Sequence, residues 1–467
     1  MSSYRTESDT LGPVEIPVEA LFGAQTMRAI ENFPISGRRL PLAVIYALAE
    51  IKAAAAAAHA EAGRLPAEIA EAIQQAAREV QAGDWYEQFP IDIFQTGSGT
   101  SSHMNVNEVL ANRAGQILGD ALGTSRVHPN DHVNLAQSSN DVFPSALHIA
   151  TARSLHEKLL PSLRGLAALC HVLADEHFDL MKTGRTHLMD AMPIRFGQSF
   201  RGYAQQLDGA TERLEACQLE LHQLALGGTA VGTGVNAPAG FSTMVCAALR
   251  RVGNVEFRPT ARPFQAQSSV DSLTACSGAM RGLASSLAKI TNDIRWMASG
   301  PQNGLHELQI PAVQPGSSIM PAKVNPVICE SVLMVCTHVF GIDASVGFAN
   351  SQGQFELNTM LPMVGSLVLE ASGSLAAACE SLDQRCLAGC EPRPETSARV
   401  AQNPILATAL APKIGYEAAA ALAKEALHSG RSLRELALEQ TELDPHQIDT
   451  LLDPARLCGE RGRSQGS

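Results

Sequence analysis

Apolar positions recur every three or four residues through most of the chain beyond residue 140, the period of helices buried along a face. The clearest stripe is Cys276, Met280, Leu283, Leu287, Ile290, Ile294 and Met297. Five segments, roughly 144–177, 195–224, 266–298, 326–348 and 360–386, are predicted as long helices joined by Gly/Pro-rich loops. Few charges occupy the other faces of the segment that carries this stripe, so more than one of its sides needs a cover, which points to helices of other subunits. Ahead of them an Ala-rich helix is predicted from Pro41 to Ala62. A second runs from Leu65-Pro66 to Gly83, with Pro at its start and Gly after its last turn, and a third from about Asn105 to Leu118. Residues 1–40 have weak periodicity and read as an extended lead lying on the body, and 85–94 read as a loop. After Gly389-Cys390-Glu391-Pro392-Arg393-Pro394 the composition shifts, and short helices such as Gly415 to His428 predict a small C-terminal domain with a polar, frayed tail from Gly459. The fold class expected is all-α: a mostly helical N-terminal domain at 1–137, a central helix-bundle domain at 138–392, and a small C-terminal helical domain at 393–467.

Composition sharpens this picture. At 467 residues, core size does not limit stability, and 45% hydrophobic with only 4% aromatic residues suits helices packed through small side chains. The net charge of −12, with no run of Lys or Arg, disfavours nucleic acid and anionic membrane surfaces as partners and leaves a small molecule. An anionic substrate would then need local cations, which singles out Lys323, Arg126 and Arg185. The uncharged run Leu224 to Leu249 exceeds a membrane span in length but holds five glycines and Pro238, so it is expected to be a loop flanking helices. The ten cysteines lie mostly in apolar helical text, never as C-x-x-C, and read as reduced core thiols. With no signal-like apolar start, the expected compartment is the cytoplasm.

Chemistry concentrates in a few short segments. Gly316-Ser317-Ser318-Ile319-Met320-Pro321-Ala322-Lys323-Val324-Asn325-Pro326 sets hydroxyls, an ammonium and an amide between turn formers, where irregular backbone leaves amides free for an anion. Standing alone it could equally be a Gly/Pro connector between helices. Thr96-Gly97-Ser98-Gly99-Thr100 combines close-approach glycines with hydroxyl donors, and by itself reads as a flexible loop or helix cap. His128-Pro129-Asn130-Asp131 reads as an Asx/Pro turn, and Ser138-Ser139-Asn140-Asp141 as donors at a helix N-terminus whose dipole favours a carboxylate. Gly184-Arg185-Thr186-His187 lies between two long helices, where a histidine can reach a cleft. Glu330 has apolar neighbours that make burial, and hence a partner, expected. No G-x-G-x-x-G follows a predicted strand and no cluster has metal-ligand spacing, so neither a cofactor nor a metal is expected.

Together these segments resemble the fumarase/aspartase superfamily, whose GSSxMPxKxNP loop the eleven residues from Gly316 match. With Leu226-Gly227-Gly228-Thr229-Ala230-Val231-Gly232-Thr233-Gly234 added, the resemblance extends from about Arg5 into the C-terminal region and is greatest to the class II fumarate hydratase family. It implies a homotetramer with a central core of five long helices from each chain and active sites shared between subunits. The implied activity is reversible addition of water to fumarate, giving L-malate through a carbanion whose charge spreads into a carboxylate. It implies that Ser317 takes the C3 proton, that Lys323 and Asn325 face the charged carboxylate, and that His187, held by Glu330, handles the hydroxyl or water. Which residue performs which step stays open between Ser317 and His187. Ser98, Gly99, Thr100, Ser138, Ser139, Asn140, Thr186, Ser318, Lys323, Val324 and Asn325 are the implied substrate contacts, and Arg126, His128, Pro129, Asn130 and Asp131 a secondary dicarboxylate site. Two other readings stay open. Aspartate ammonia-lyase shares the loop, and Gln354-Phe355-Glu356-Leu357 suits it equally well, whereas Gly227-Gly228-Thr229 and the segment Trp296 to Pro301 look more like a fumarase. The superfamily also holds catalytically silent lens scaffolds, against which retention of Ser317, Lys323, Asn325, His187 and Glu330 argues.

Overall fold

A computed structural model of the chain describes residues 4–250, 255–316, 318–320 and 323–459. The chain opens on an antiparallel hairpin, β1 (Tyr4–Asp9) and β2 (Gly12–Pro17), paired from Tyr4↔Pro17 to Asp9↔Gly12, followed by α1 (Ala24–Asn32). This corrects the extended lead expected for residues 1–40. Burial along β1 alternates between half-buried and exposed, a period of two that never becomes a fully apolar face and so leaves little trace in the sequence. Next come α2 (Leu42–Glu61), α3 (Ala67–Gln81) and α4 (Thr100–Ile117). The first long segment is α5 (Ser139–Ser154), a π turn at Leu155–Leu159, and α6 (Leu160–Glu176). It begins five residues before Pro144, where the pattern placed it, because Ser138 and Asp141 close a capping box and so hold the first turn ahead of the proline.

A second hairpin follows, β3 (Met181–Thr186) with β4 (Met189–Arg195), and then α7 (Phe196–Leu221). The run from Leu224 to Leu249 is loop only in its first part, since α8 (Phe241–Arg250) occupies the rest. The third long segment is broken. A short α9 (Pro263–Ser268) ends at Ser269 in extended backbone, the Val270 N–H donates to Asn350 Oδ1 at 2.9 Å, and α10 (Asp271–Met297) starts afresh. The remaining long helices, α11 (Val327–Asn350) and α12 (Leu361–Arg385), fall close to their predicted spans, and a later helix covers Tyr416–Ser429.

The chain divides into two compact units. The first comprises Met1–Pro161, Ala210–Ala284 and Val335–Ala376, and the second Ser162–Gly209, Ser285–Met334 and Ala377–Ser467. In the first, α2 is buried on nearly every side, its small residues letting α3, α5 and α8 approach closely. Two charges go in with it: Glu50 is gripped by Arg153, whose Nη2 donates to Oε1 at 2.8 Å, and Lys52 donates to Asn134 Oδ1 at 2.8 Å and Gln137 Oε1 at 3.0 Å. Pairing is what makes such burial tolerable. In the second unit the C-terminal helices close a cluster around Leu406, Leu410, Leu422, Leu436 and Ile448.

Among the described residues no disulfide joins the ten cysteines, and nine of them are buried. Among the described residues three segments, Leu42–Glu61, Val327–Asn350 and Leu361–Gly389, are long and apolar enough to cross a membrane by length and composition alone. In the first and third most of the apolar stretch is buried within the chain, but in Val327–Asn350 only 33% is, leaving Met334, Phe340 and Phe348 exposed.

Candidate active site

In the first unit, the Thr96–Thr100 segment leads into α4 through Gly99, whose φ of 75° is left-handed. Both glycines are demanded by their neighbours. A Cβ at Gly97 would stand 1.8 Å from the Thr359 carbonyl oxygen, and one at Gly99 2.4 Å from the Phe143 ring of α5. With that approach possible, the starts of α4 and α5 lie together. Ser98 Oγ and Thr100 Oγ1 share a hydrogen bond at 2.7 Å, and His103 Nδ1 meets Ser139 Oγ at 2.7 Å. Ser138 caps α5, its Oγ accepting from the Asn140 N–H, and the Asn140 amide nitrogen donates to Ala230 O at 2.8 Å.

Asp141 anchors this corner. One carboxylate oxygen accepts from the Ser138 N–H, and the other from the Gly227 and Thr229 N–H groups at 2.9 and 3.0 Å, tying the glycine-rich loop to the start of α5. Burial pushes its carboxyl up to about 6 against those bonds and the nearby Lys52 charge. Burial also lowers Lys52 and His103, the latter further by Lys52 itself. Sequence reasoning passed over Lys52, His103 and Asp141. The readable traces were a lysine inside an alanine run and a serine followed three residues later by an acid.

A cleft of about 1000 Å³ in the same unit is lined by Thr96, Ser101, His128, Pro129 and Asn130, so three of the five residues expected to form a secondary site share a wall with the Thr96–Thr100 segment. The His128 turn is one π turn over Pro129–Val133, and the His128 imidazole nitrogen accepts from the Asn130 and Asp131 N–H groups. Arg126 is engaged by Asp120, with Nη2 donating to Oδ1 at 2.8 Å and the backbone N–H to Oδ2 at 2.8 Å.

In the second unit, Gly184-Arg185-Thr186-His187 forms a hairpin rather than an irregular link between helices. The register runs from Met181↔Arg195 to Thr186↔Met189 with a bulge between Thr183 and Arg185, where a Cβ on Gly184 would meet the Met192 carbonyl at 2.5 Å. His187 and Leu188 are the two tip residues, with φ of 56° and 61°, the geometry of a type I′ turn that normally takes Asn and Gly. Both are exposed on their own chain. Arg185, one of the cations singled out above, is not available to a ligand: it forks onto buried Glu307 at 2.7 and 2.9 Å, beside Lys182 at 3.7 Å. Burial lowers Lys182, opposed by the Glu307 charge.

Ser317 of the reactive loop lies outside the described residues, as do Pro321 and Ala322. Gly316 and Lys323 approach closely, since a Cβ on Gly316 would collide with the Lys323 carbonyl at 1.4 Å. Lys323 Nζ donates to Asn325 Oδ1 at 2.9 Å, and both line a cleft of about 810 Å³ with Arg295, His306 and Arg393. Ser318 and Val324 are exposed. Glu330, expected to be buried, is exposed in the first turn of α11, where the helix dipole favours a carboxylate. Among the described residues no hydrogen bond or ion pair of the single chain joins His187 to Glu330, and no group of three His, Cys, Asp or Glu side chains could hold a metal ion.

Loops rich in hydroxyls, amides and one ammonium, carried on the ends of long helices, define a lyase-type scaffold, and residues 12–341 match a family described as lyase, to which the chain belongs. Residues 406–459 match the fumarase C C-terminus. Within that family the chain is a member of the class II fumarate hydratases. It is 49% identical to the fumarate hydratase class II of Thermosynechococcus vestitus over 98% of this chain and 99% of the relative, and 47% identical to that of Pseudomonas putida over 98% and 99%. Among solved structures, class II fumarase from Schistosoma mansoni superposes with a TM-score of 0.95 at 37% identity over 98% of this chain and 99% of the other. A fumarate lyase:delta crystallin from Brucella melitensis does so with 0.93 at 41% over 98% and 100%.

Proposed function

We propose that this protein reversibly adds water to fumarate, giving L-malate by anti addition. The carrying observation is the meeting of the α4 and α5 starts, which sets Thr100, Ser139 and Asn140 together on helix N-termini while the chain's other donors sit on two further loops. Hydroxyl, amide and backbone N–H donors at helix N-termini suit carboxylates and need no net positive charge. The reaction's difficulty is a weakly acidic C–H, so the site must favour the state in which a second negative charge spreads into the neighbouring carboxylate. Lys323 and Asn325 supply that stabilisation. Ser317 takes the C3 proton, and His187, oriented by Glu330, serves the departing hydroxyl or incoming water. Thr186, Ser98, Gly99, Ser138, Ser318 and Val324 complete the carboxylate contacts, and Arg126, His128, Pro129, Asn130 and Asp131 offer a dicarboxylate a secondary site near the entrance.

His187 and Glu330 are both exposed and unjoined within one chain, and the apolar face of α11 stays largely uncovered. Both features support a homotetramer in which the long helices of four chains cover one another and each site takes residues from different subunits. The proposed setting is the cytoplasm, with no nucleic acid, membrane or metal partner. Purified protein given L-malate should release fumarate, followed by its ultraviolet absorbance, with no loss on chelator treatment. Fumarate and ammonia from L-aspartate at a comparable rate would assign the chain to the ammonia-lyases instead, and no turnover of either would leave a silent scaffold.

A further inference from the structure

His103 stands on the second half-turn of α4, its side chain fully buried behind the start of α5. Its Nδ1 lies 2.7 Å from Ser139 Oγ, while Nε2 has no hydrogen-bond partner among the described residues. Either atom of the 2.7 Å contact could donate, and the two arrangements differ in what Ser139 can do. If Ser139 donates inward, Nε2 carries the other proton, leaving a buried N–H without an acceptor. If Nδ1–H donates outward, Nε2 keeps a bare lone pair. The Lys52 ammonium is the nearby cation in this pocket, with two of its three hydrogens held by Asn134 and Gln137. A buried N–H without an acceptor is rarer and costlier than a buried acceptor without a donor, which favours the second arrangement. Burial and Lys52 together hold the ring neutral, so a single proton has to be placed.

We propose that His103 is a positioning residue which donates from Nδ1 to Ser139 Oγ, so that the Ser139 hydroxyl proton can point only outward, to an anionic acceptor. This rests on the reading above that Ser139 holds a substrate carboxylate. A carboxylate accepts and never donates, so a serine whose proton were turned inward would present it with lone pairs alone. The buried histidine thereby makes a neutral hydroxyl selective for anions.

The enzyme as a whole is the test, with fumarate for turnover and succinate, a saturated dicarboxylate, for binding by calorimetry. Parent protein that neither turns over fumarate nor binds succinate would end the functional reading, and this inference with it, before any variant is made. With an active parent, His103→Leu should lower kcat/KM by about tenfold and weaken succinate binding to match, the loss of one well-aligned hydrogen bond to an ion. Asparagine can place an amide N–H where Nδ1 stands, and glutamine reaches past it. His103→Asn should therefore recover most of the loss and His103→Gln little. In a Ser139→Ala background the leucine substitution should add almost nothing. Parent-like kcat/KM in the leucine variant, an equal loss on both backgrounds, or asparagine no better than glutamine at comparable melting temperatures would each overturn the proposal.

Discussion

At the scale of single residues, polar groups that look misplaced in the sequence turn out to be mutually satisfied. Lys52 sits in a run of alanines and is buried against two side-chain carbonyls, and Asp141 is buried against three backbone N–H groups. Asp141 carries a testable pH dependence. Its folded carboxyl is raised to about 6, so the folded state holds this proton more tightly than the unfolded chain does, and the resulting stability is lost as pH rises from about 4 through 6. The change is of the order of 2–3 kcal/mol. Asp141→Asn removes it, so the margin in melting temperature between parent and variant should be widest near pH 4 and narrow to a constant above about pH 7. A margin that widens with pH would show the assigned shift to have the wrong sign. Ser317 is proposed as the base that takes the C3 proton. Ser317→Ala should then lower kcat by orders of magnitude with unchanged far-ultraviolet circular dichroism, because it removes the proton-transfer group that the proposed reaction needs. Near-normal turnover would end its assignment as base.

Among elements, the long helices were legible because one-sided burial repeats every three to four residues for six or more turns. The hairpins were not. The sequence Met181–Arg195 has six- and seven-residue strands that are mostly half-buried, and a His-Leu tip in place of the Asn-Gly that marks such turns. Likewise Pro144 reads as a helix start, yet the capping box of Ser138 and Asp141 starts α5 earlier. The Thr96–Thr100 segment was readable as chemistry, but its rigidity comes from neighbours remote in sequence. Gly97→Ala tests this. With 1.8 Å between the new Cβ and the Thr359 carbonyl, backbone has to move, and a loss of about 1–3 kcal/mol is expected together with weaker substrate binding. Unchanged melting temperature and KM would mean that the close approach is unimportant.

For the whole molecule, the proposed site draws on loops far apart in sequence. Ser317 and His187 are proposed to serve a given site from different chains. Inactive Ser317→Ala and His187→Asn proteins, unfolded and refolded together, should then regain roughly a quarter of the native sites, a half for each intact residue independently. A mixture that stays inactive, although mass analysis shows hybrid tetramers, would place both residues on one chain. The exposure of Met334, Phe340 and Phe348 along α11 belongs to the same scale, because water does not leave so long an apolar stretch uncovered without another surface to receive it.

The sequence by itself determined the helical class, the spans of the long helices and the short segments that carry the candidate chemistry, since each depends on local periodicity or on residues adjacent in the chain. Tertiary structure alone decided that Arg185 is engaged by Glu307, that Gly97 and Gly99 let two helix starts meet, that His103 stands behind Ser139, and that Asp141 receives the Gly227 and Thr229 N–H groups. Those facts depend on contacts across dozens to more than a hundred residues of chain, and no window along the sequence holds both partners at once.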